Sequence, residues 1–349
     1  MRRRHSRRSL AALITLVALG IPIGATGATG SFDTVDAAMR ARVRDDQLSG
    51  GVLLAARGDT VVHRLTVGQM STHTVIPIAS ASKWLTAATL MTFVDEGRLA
   101  LDDPVFRYLP AFTGAKAGIT VRELLSHRSG LPSAPCEGDP GTTLRQCAND
   151  IADGDDPTSA PGTEFHYRGV GFVIAGRIIE RLNHSSFEEA FSSRVAQPLG
   201  MIYTRFDGFA QPHNRNPAPA ASARSTVDDY ARFLRMLAHD GTVDGHTVLR
   251  PSSVAEIERD QVAGLDTRDD AAVQITGIPT YGLGVWRDVV ADDDSIRVVS
   301  GSGALGFYPW IDRAHGTYGI VAVDDELHGP EHAVPASQRI ARMLWHAAA

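Results

Sequence analysis

The chain has 349 residues, 43% hydrophobic and 21% charged, with 33 glycines, 18 prolines and a formal net charge of −6. That composition belongs to a folded globular protein and excludes collagen-like, disordered and disulfide-scaffold classes. Of 34 basic residues only Lys83 and Lys116 are lysines; arginine keeps its proton in a protein, whereas a desolvated lysine can release it, so each lysine is a candidate for chemistry.

The chain opens like a secretory signal. Met1 to Arg8 carries five arginines and no acid, Leu10 to about Ile23 is apolar, and small residues lead to Ala28-Thr29-Gly30. That order of charge, apolar run and small residues marks residues 1–30 as a signal peptide, and Ser6-Arg7-Arg8-Ser9-Leu10 also fits a twin-arginine export signal. Pro22 and Gly24 interrupt the run, which argues for cleavage and against a lasting membrane span. The expected location is therefore exported, periplasmic or extracellular. Without those arginines the chain has 29 basic against 40 acidic residues, a net −11, which excludes nucleic acid as a partner.

Phe32 to Leu48 predicts an amphipathic helix. Gly51–Ala56 and Thr60–Leu65 predict a hairpin around Arg57-Gly58-Asp59, read as turn chemistry and not as a recognition tripeptide. Ser80 to Glu96 is free of glycine and proline, has apolar residues at three- and four-residue steps, and stops at Gly97, which predicts a helix. Residues 101–275 mix short helices with loops; Phe172–Asn183 and Thr226–His239 are the clearest helices. Cys136 and Cys147 share one loop-rich stretch, and an oxidising compartment favours a local bridge, contributing roughly 3 kcal/mol in the chain-entropy model. Strands return at Tyr281–Trp286, Ile296–Ser300, Gly306–Ile311 and Tyr318–Val323, followed by a helix over Pro335–His346. Strands at both chain ends predict an α/β (α+β) fold: one antiparallel sheet built from both ends, flanked by helices, with an inserted mainly helical lobe. The expected division is 31–100 with 276–349 as the sheet lobe and 101–275 as the helical lobe.

Lys83 falls in Ser80-Ala81-Ser82-Lys83. On a helix, residues three apart share a face with Cβ atoms roughly 5–6 Å apart, which brings an amine within reach of a hydroxyl. Serine is a poor nucleophile until a base takes its proton, and a desolvated lysine can be that base where arginine cannot. Lys116, in Thr113-Gly114-Ala115-Lys116-Ala117-Gly118, reads as a loop charge.

Several stretches, in order, resemble the class C type of serine β-lactamase-related hydrolases, a group that includes penicillin-binding proteins, D-aminopeptidases and esterases. Pro77-Ile78-Ala79-Ser80-Ala81-Ser82-Lys83 resembles its nucleophile segment. Asp95-Glu96-Gly97-Arg98-Leu99, with Leu101-Asp102-Asp103-Pro104-Val105, resembles the segment behind it. Leu124-Leu125-Ser126-His127-Arg128-Ser129-Gly130-Leu131-Pro132 resembles a shared signature. Pro161-Gly162-Thr163-Glu164-Phe165-His166-Tyr167 resembles the lead-in to the catalytic tyrosine, and Pro198-Leu199-Gly200-Met201 closes the helical part. The resemblance spans about residues 50–349. It implies an acyl-enzyme mechanism with Ser80 as nucleophile, Lys83 assisting its deprotonation and Tyr167 shuttling the proton. It implies an oxyanion hole from the backbone N–H groups of Ser80 and Ala304, a small-molecule or peptide substrate, and neither metal nor organic cofactor. His127 reads as a structural residue.

Two departures bear on substrate. Gly169 stands two residues after the tyrosine, where the family often has an Asn that binds substrate or orients the lysine. Gly301-Ser302-Gly303 stands where the family has Lys-Thr-Gly or His-x-Gly, so the cation that would hold a substrate carboxylate is gone. The expectation is therefore an esterase or amidase in preference to an efficient β-lactamase, with a non-catalytic penicillin-binding-like binder of cell-wall peptides as the alternative. Arg128 and Arg168 are candidates for a replacement charge.

Other motifs fail on context. Gly301-Ser302-Gly303-Ala304-Leu305-Gly306 matches Gly-x-Gly-x-x-Gly, but a strand-like run follows where a dinucleotide site needs a helix. His328-Gly329-Pro330-Glu331-His332 matches a zinc-protease pattern whose helix Gly-Pro would break; it reads as a surface loop. Asp155-Asp156 and Asp269-Asp270 read as solvated turns.

Overall fold

A computed structural model describes residues 29–206 and 215–349. Of the expected signal peptide, residues 1–30, the first 28 lie outside the described residues. The helices are α1 (Thr29–Asp45), α2 (Ser82–Asp95), α3 (Val121–Leu125), α4 (Leu144–Asp153), α5 (Val170–Asn183), α6 (Phe187–Phe191), α7 (Val227–Ala238), α8 (Pro251–Glu258), α9 (Ala271–Thr276) and α10 (Pro330–Ala348). The strands are β1 (Gly50–Arg57), β2 (Thr60–Gly68), β3 (Ile76–Pro77), β4 (Arg205–Phe206), β5 (Ala223–Ser225), β6 (Thr242–Val243), β7 (His246–Thr247), β8 (Trp286–Val290), β9 (Ile296–Ser300), β10 (Tyr308–Asp312) and β11 (Thr317–Val323).

Six strands form one sheet in the order β2-β1-β11-β10-β9-β8, with antiparallel pairing throughout. The two chain ends meet where β1 pairs β11, with Leu53 opposite Val321. The period-2 alternation of a strand sends neighbouring side chains to opposite faces. Val52, Leu54 and Ala56 accordingly enter one core with α2, α5 and α7, while Leu53 and Ala55 enter another with Met39 of α1 and Leu344 of α10. This explains why β1 is buried almost throughout despite its antiparallel pairing. α2 is buried along its first twelve residues, as a helix apolar on all sides must be.

Two expectations about elements are corrected, and the expected hairpin turn is found. Tyr281–Trp286 is not a strand. β8 begins at Trp286, and only an isolated bridge joins Tyr281 to Trp286. Gly284, at φ +77°, brings the backbone so close to the Lys83 carbonyl that a Cβ would sit 2.7 Å from it, so the segment follows α2 instead of extending. The last helix starts at Pro330 and carries Pro335 inside it; proline suits the first helical position, and Pro335 removes one bond from nineteen residues. Arg57-Gly58-Asp59 is a hairpin turn with Gly58 at φ +53°, and Asp59 is ion-paired to Arg235 at 2.7 Å.

Candidate active site

The chain turns sharply out of β3. Ala79 has φ +45°, a conformation that costs a non-glycine residue about 1–2 kcal/mol. Ser80 occupies the short 3-10 turn Ala79–Ala81, which runs straight into α2. A second segment clamps this junction. The Ile78 N–H donates to the Ala223 carbonyl (3.0 Å), the Ala223 N–H to Ser82 Oγ (3.0 Å), and Thr86 Oγ1 to the Pro219 carbonyl (2.7 Å). The Tyr230 hydroxyl donates to the Ala81 carbonyl at 2.9 Å. Lys83 is 3% exposed, and its Nζ donates to Ser80 Oγ at 3.0 Å and to the Ala220 carbonyl at 3.1 Å. Among the described residues no carboxylate lies within ion-pairing distance of Lys83, so its polar partners are the hydroxyl and one carbonyl.

Tyr167 arrives from the opposite wall. Lys83 Nζ lies 4.5 Å from the centre of its ring. The ring stacks on Trp286 at 5.2 Å and meets His127 at 4.4 Å, within an apolar group of Phe165, Tyr281 and Trp286. The Tyr167 N–H donates to Asp270 Oδ2 at 2.9 Å, and Asp270 Oδ1 caps α9 by accepting from the Ala272 N–H at 2.9 Å. Asp270 is therefore not a solvated turn acid but the anchor of the tyrosine's backbone.

His127, at φ +61°, is buried. The Arg168 N–H donates to its Nδ1 at 3.2 Å, leaving Nε2–H to donate to the Tyr281 hydroxyl at 3.3 Å. Burial and then the nearby Lys83 charge push the imidazole well below its usual pKa, so it stays neutral. Burial, then Tyr167, pushes the Tyr281 phenol well above its usual value.

The β9–β10 connection forms the third wall. A Cβ on Gly303 would sit 2.3 Å from the Ile78 carbonyl, so glycine there lets this loop touch the chain just before Ser80. Ser302 is buried beside it, and Ala304 follows in the turn. The backbone N–H groups of Ser80 and Ala304 donate to no acceptor among the described residues, as an oxyanion hole requires. Gly301 faces inward: a Cβ would meet the Trp84 ring at 3.1 Å. A side chain there would press on that ring more closely than an ordinary contact.

At Gly169 a Cβ would lie 1.8 Å from Glu137 Oε1. The space of the missing side chain is thus filled by a carboxylate from another loop. Burial raises the Glu137 carboxyl above its ordinary pKa, opposed by the Lys83 charge. Glu137 follows Cys136, which is bonded to Cys147, and Asn216 Nδ2 donates to the carbonyls of Cys136 (2.7 Å) and Asp139 (3.0 Å) on either side.

Sequence reasoning named Ser80, Lys83, Tyr167, Gly169 and Gly303, and these converge. It missed Glu137, Asp270, the aromatic wall and the Ala220 carbonyl. The Pro- and Ala-rich run 217–223 is the only local signal for that clamp. Arg168 Nη1 donates to the Leu131 carbonyl (2.9 Å) and Arg128 Nε to Ser126 Oγ (3.2 Å), which ties both guanidinium groups to the loop around His127. Lys116 is no loop charge: it is buried, with three carbonyl partners. His332 lies in the first turn of α10, not in a surface loop; it lies near His328 and Asp325, and that carboxylate already serves Arg42 and His328.

A sheet from both chain ends, with a Ser-x-x-Lys helix beneath it and a tyrosine across the cleft, defines the β-lactamase/transpeptidase class of fold. The beta-lactamase family model matches residues 35–341, and the chain belongs to that family. It is 29% identical over 335 residues to Protein Rv1367c of Mycobacterium tuberculosis, covering 78% of this chain and 82% of that one. It is 32% identical over 290 residues to Penicillin-binding protein 4 of Amycolatopsis lactamdurans, covering 70% and 74%. A Bacteroides dorei structure assigned to the beta-lactamases superposes with TM-score 0.81 at 30% identity, over 89% and 98% of the two chains. A family VIII carboxylesterase has the same fold, with TM-score 0.73 at 19% identity over 91% and 97%.

Proposed function

We propose that this protein is an exported serine hydrolase that cleaves esters or amides through an acyl-Ser80 intermediate. The observation that carries the reading is the 3.0 Å bond between Lys83 Nζ and Ser80 Oγ, on a buried lysine with no carboxylate partner among the described residues. Ser80 Oγ attacks the substrate carbonyl carbon while its proton passes to Lys83, which takes it in the neutral amine form. The new oxyanion rests on the Ser80 and Ala304 N–H groups. Tyr167, whose ring adjoins the lysine, relays the proton to the leaving group as that bond breaks. Water then attacks the acyl carbon, giving its proton back along the same path, and frees Ser80. A residual cation for a substrate carboxylate is lacking at Gly301, which favours esters and amides over β-lactams. The carboxylesterase of like fold supports the same preference. The arginine-rich leader and the Cys136–Cys147 disulfide support export.

A fluorophosphonate probe and a chromogenic short-chain ester test this. Wild type is expected to label and turn over, and Ser80→Ala and Lys83→Arg to lose at least about a thousandfold in kcat/KM. Well-folded wild type that neither labels nor turns over would overturn the reading and favour a binding protein for cell-wall peptides.

A further inference from the structure

The family resemblance leads one to expect an amide side chain at position 169, able both to donate and to accept hydrogen bonds. This chain has glycine there, and Glu137 Oε1 and Oε2 stand 1.8 and 2.2 Å from where the Cβ would be. An ionised carboxylate only accepts. Among the described residues the Glu137 carboxylate receives no hydrogen bond and forms no ion pair, although it is half-buried. A half-buried carboxylate without a partner gives up part of its hydration with nothing in return. Yet its loop is held on both sides, by the disulfide at Cys136 and by Asn216. The Lys83 charge acts on it, from beyond ion-pair distance. Fold stability gains nothing from such an arrangement; a cationic ligand entering the cleft would complete it.

We propose that Glu137 determines substrate specificity by receiving a protonated amine on the acyl part of the substrate, so that the preferred substrates are esters or amides of amino acids or amino-terminal peptides. The inference rests on Ser80 being the acylated nucleophile. It reverses the charge preference of a site that holds a substrate carboxylate, in line with the absence of a cationic side chain at Gly301.

The experiment compares phenyl esters of D- and L-alanine with phenyl propionate, which differs by the ammonium group alone. Wild type is expected to favour at least one alanine ester by about tenfold or more in kcat/KM, the scale of a charge-assisted hydrogen bond. Glu137→Gln brings that ratio towards one. Gly169→Ala, which displaces the carboxylate without removing its charge, lowers it as well. In parallel, Ser80→Ala protein is titrated with D- and L-alaninamide and with propionamide; binding of an alaninamide, weakened by adding Glu137→Gln, is expected. The proposal is overturned if wild type shows no preference, if the ratio is unchanged in Glu137→Gln, or if alaninamide binds no better than propionamide. Turnover of phenyl propionate without an ammonium preference would sink this inference and leave the hydrolase standing. Glu137-dependent binding of alaninamide by a protein that hydrolyses nothing would do the reverse. Thermal melting confirms the variants are folded, and Glu137→Ala repeats the comparison should Glu137→Gln fail to fold.

Discussion

Lys116 Nζ donates to the carbonyls of Ile151 (3.0 Å), Ala152 (2.8 Å) and Gly154 (2.7 Å), where α4 ends. A helix C-terminus leaves carbonyls without intrahelical partners and carries partial negative charge, and a buried ammonium with three donors answers both. Lys116→Met keeps the stem and removes the donors. Each buried acceptor left unpaired costs about 1–3 kcal/mol, so chemical denaturation should show a loss of about 2 kcal/mol or more. A midpoint equal to wild type would contradict the capping role. Lys83 also donates to a carbonyl, that of Ala220, but its second partner is the Ser80 hydroxyl. The two lysines differ in legibility for a physical reason. Ser80 and Lys83 are three residues apart, so helix geometry alone brings them together. The partners of Lys116 lie on a different helix, and only tertiary packing delivers them. Glu137 is hidden for the same reason, because glycine at 169 records only that a side chain is missing and not what replaces it.

Among the elements, the hairpin β1–β2 and helices α2, α5 and α7 are legible because their patterns are local: alternation along strands and three- and four-residue steps along helices. The segment after Ile278 is not, because its apolar residues serve two purposes. Tyr281 and Trp286 join Phe165 in a wall behind Tyr167, and the intervening glycines bend the backbone around α2. Asp270 shows how a short element serves the site. It caps α9 and, with its other oxygen, holds the Tyr167 N–H. Asp270→Ala is expected to cost about 1 kcal/mol as a lost cap and to lower kcat for the chromogenic ester more than it changes KM, since Tyr167 would lose its register against Lys83. Asp270→Asn, which keeps an acceptor, should recover part of both. Equal turnover in wild type and Asp270→Ala would show that the aromatic stack alone places the tyrosine.

At the scale of the whole molecule, the aromatic wall beside Tyr167 is coupled to fold stability through His127. Its neutral ring ties the loop after α3 to the Arg168 backbone and to Tyr281, and burial among aromatic rings, with Lys83 nearby, holds its pKa well below the ordinary value. In the unfolded chain the same imidazole titrates near ~6.5. As pH falls below that value the unfolded state takes up a proton that the native state refuses, so stability declines with acidification. The contribution is fully present above the unfolded pKa and is lost progressively beneath it. Carboxyl groups raised by burial, such as those of Glu137 and Glu180, act with the opposite sign, since they favour the fold as they become protonated. Their effect cancels when wild type is compared with a variant at 127. His127→Gln keeps an acceptor and a donor but cannot charge. Its melting temperature relative to wild type should therefore be lowest at pH 7.5 and recover as the pH is taken from about 6.5 to 5. A difference between the two proteins that stays constant across that range would mean that His127 titrates alike in both states, and would remove the link between this ring and acid sensitivity.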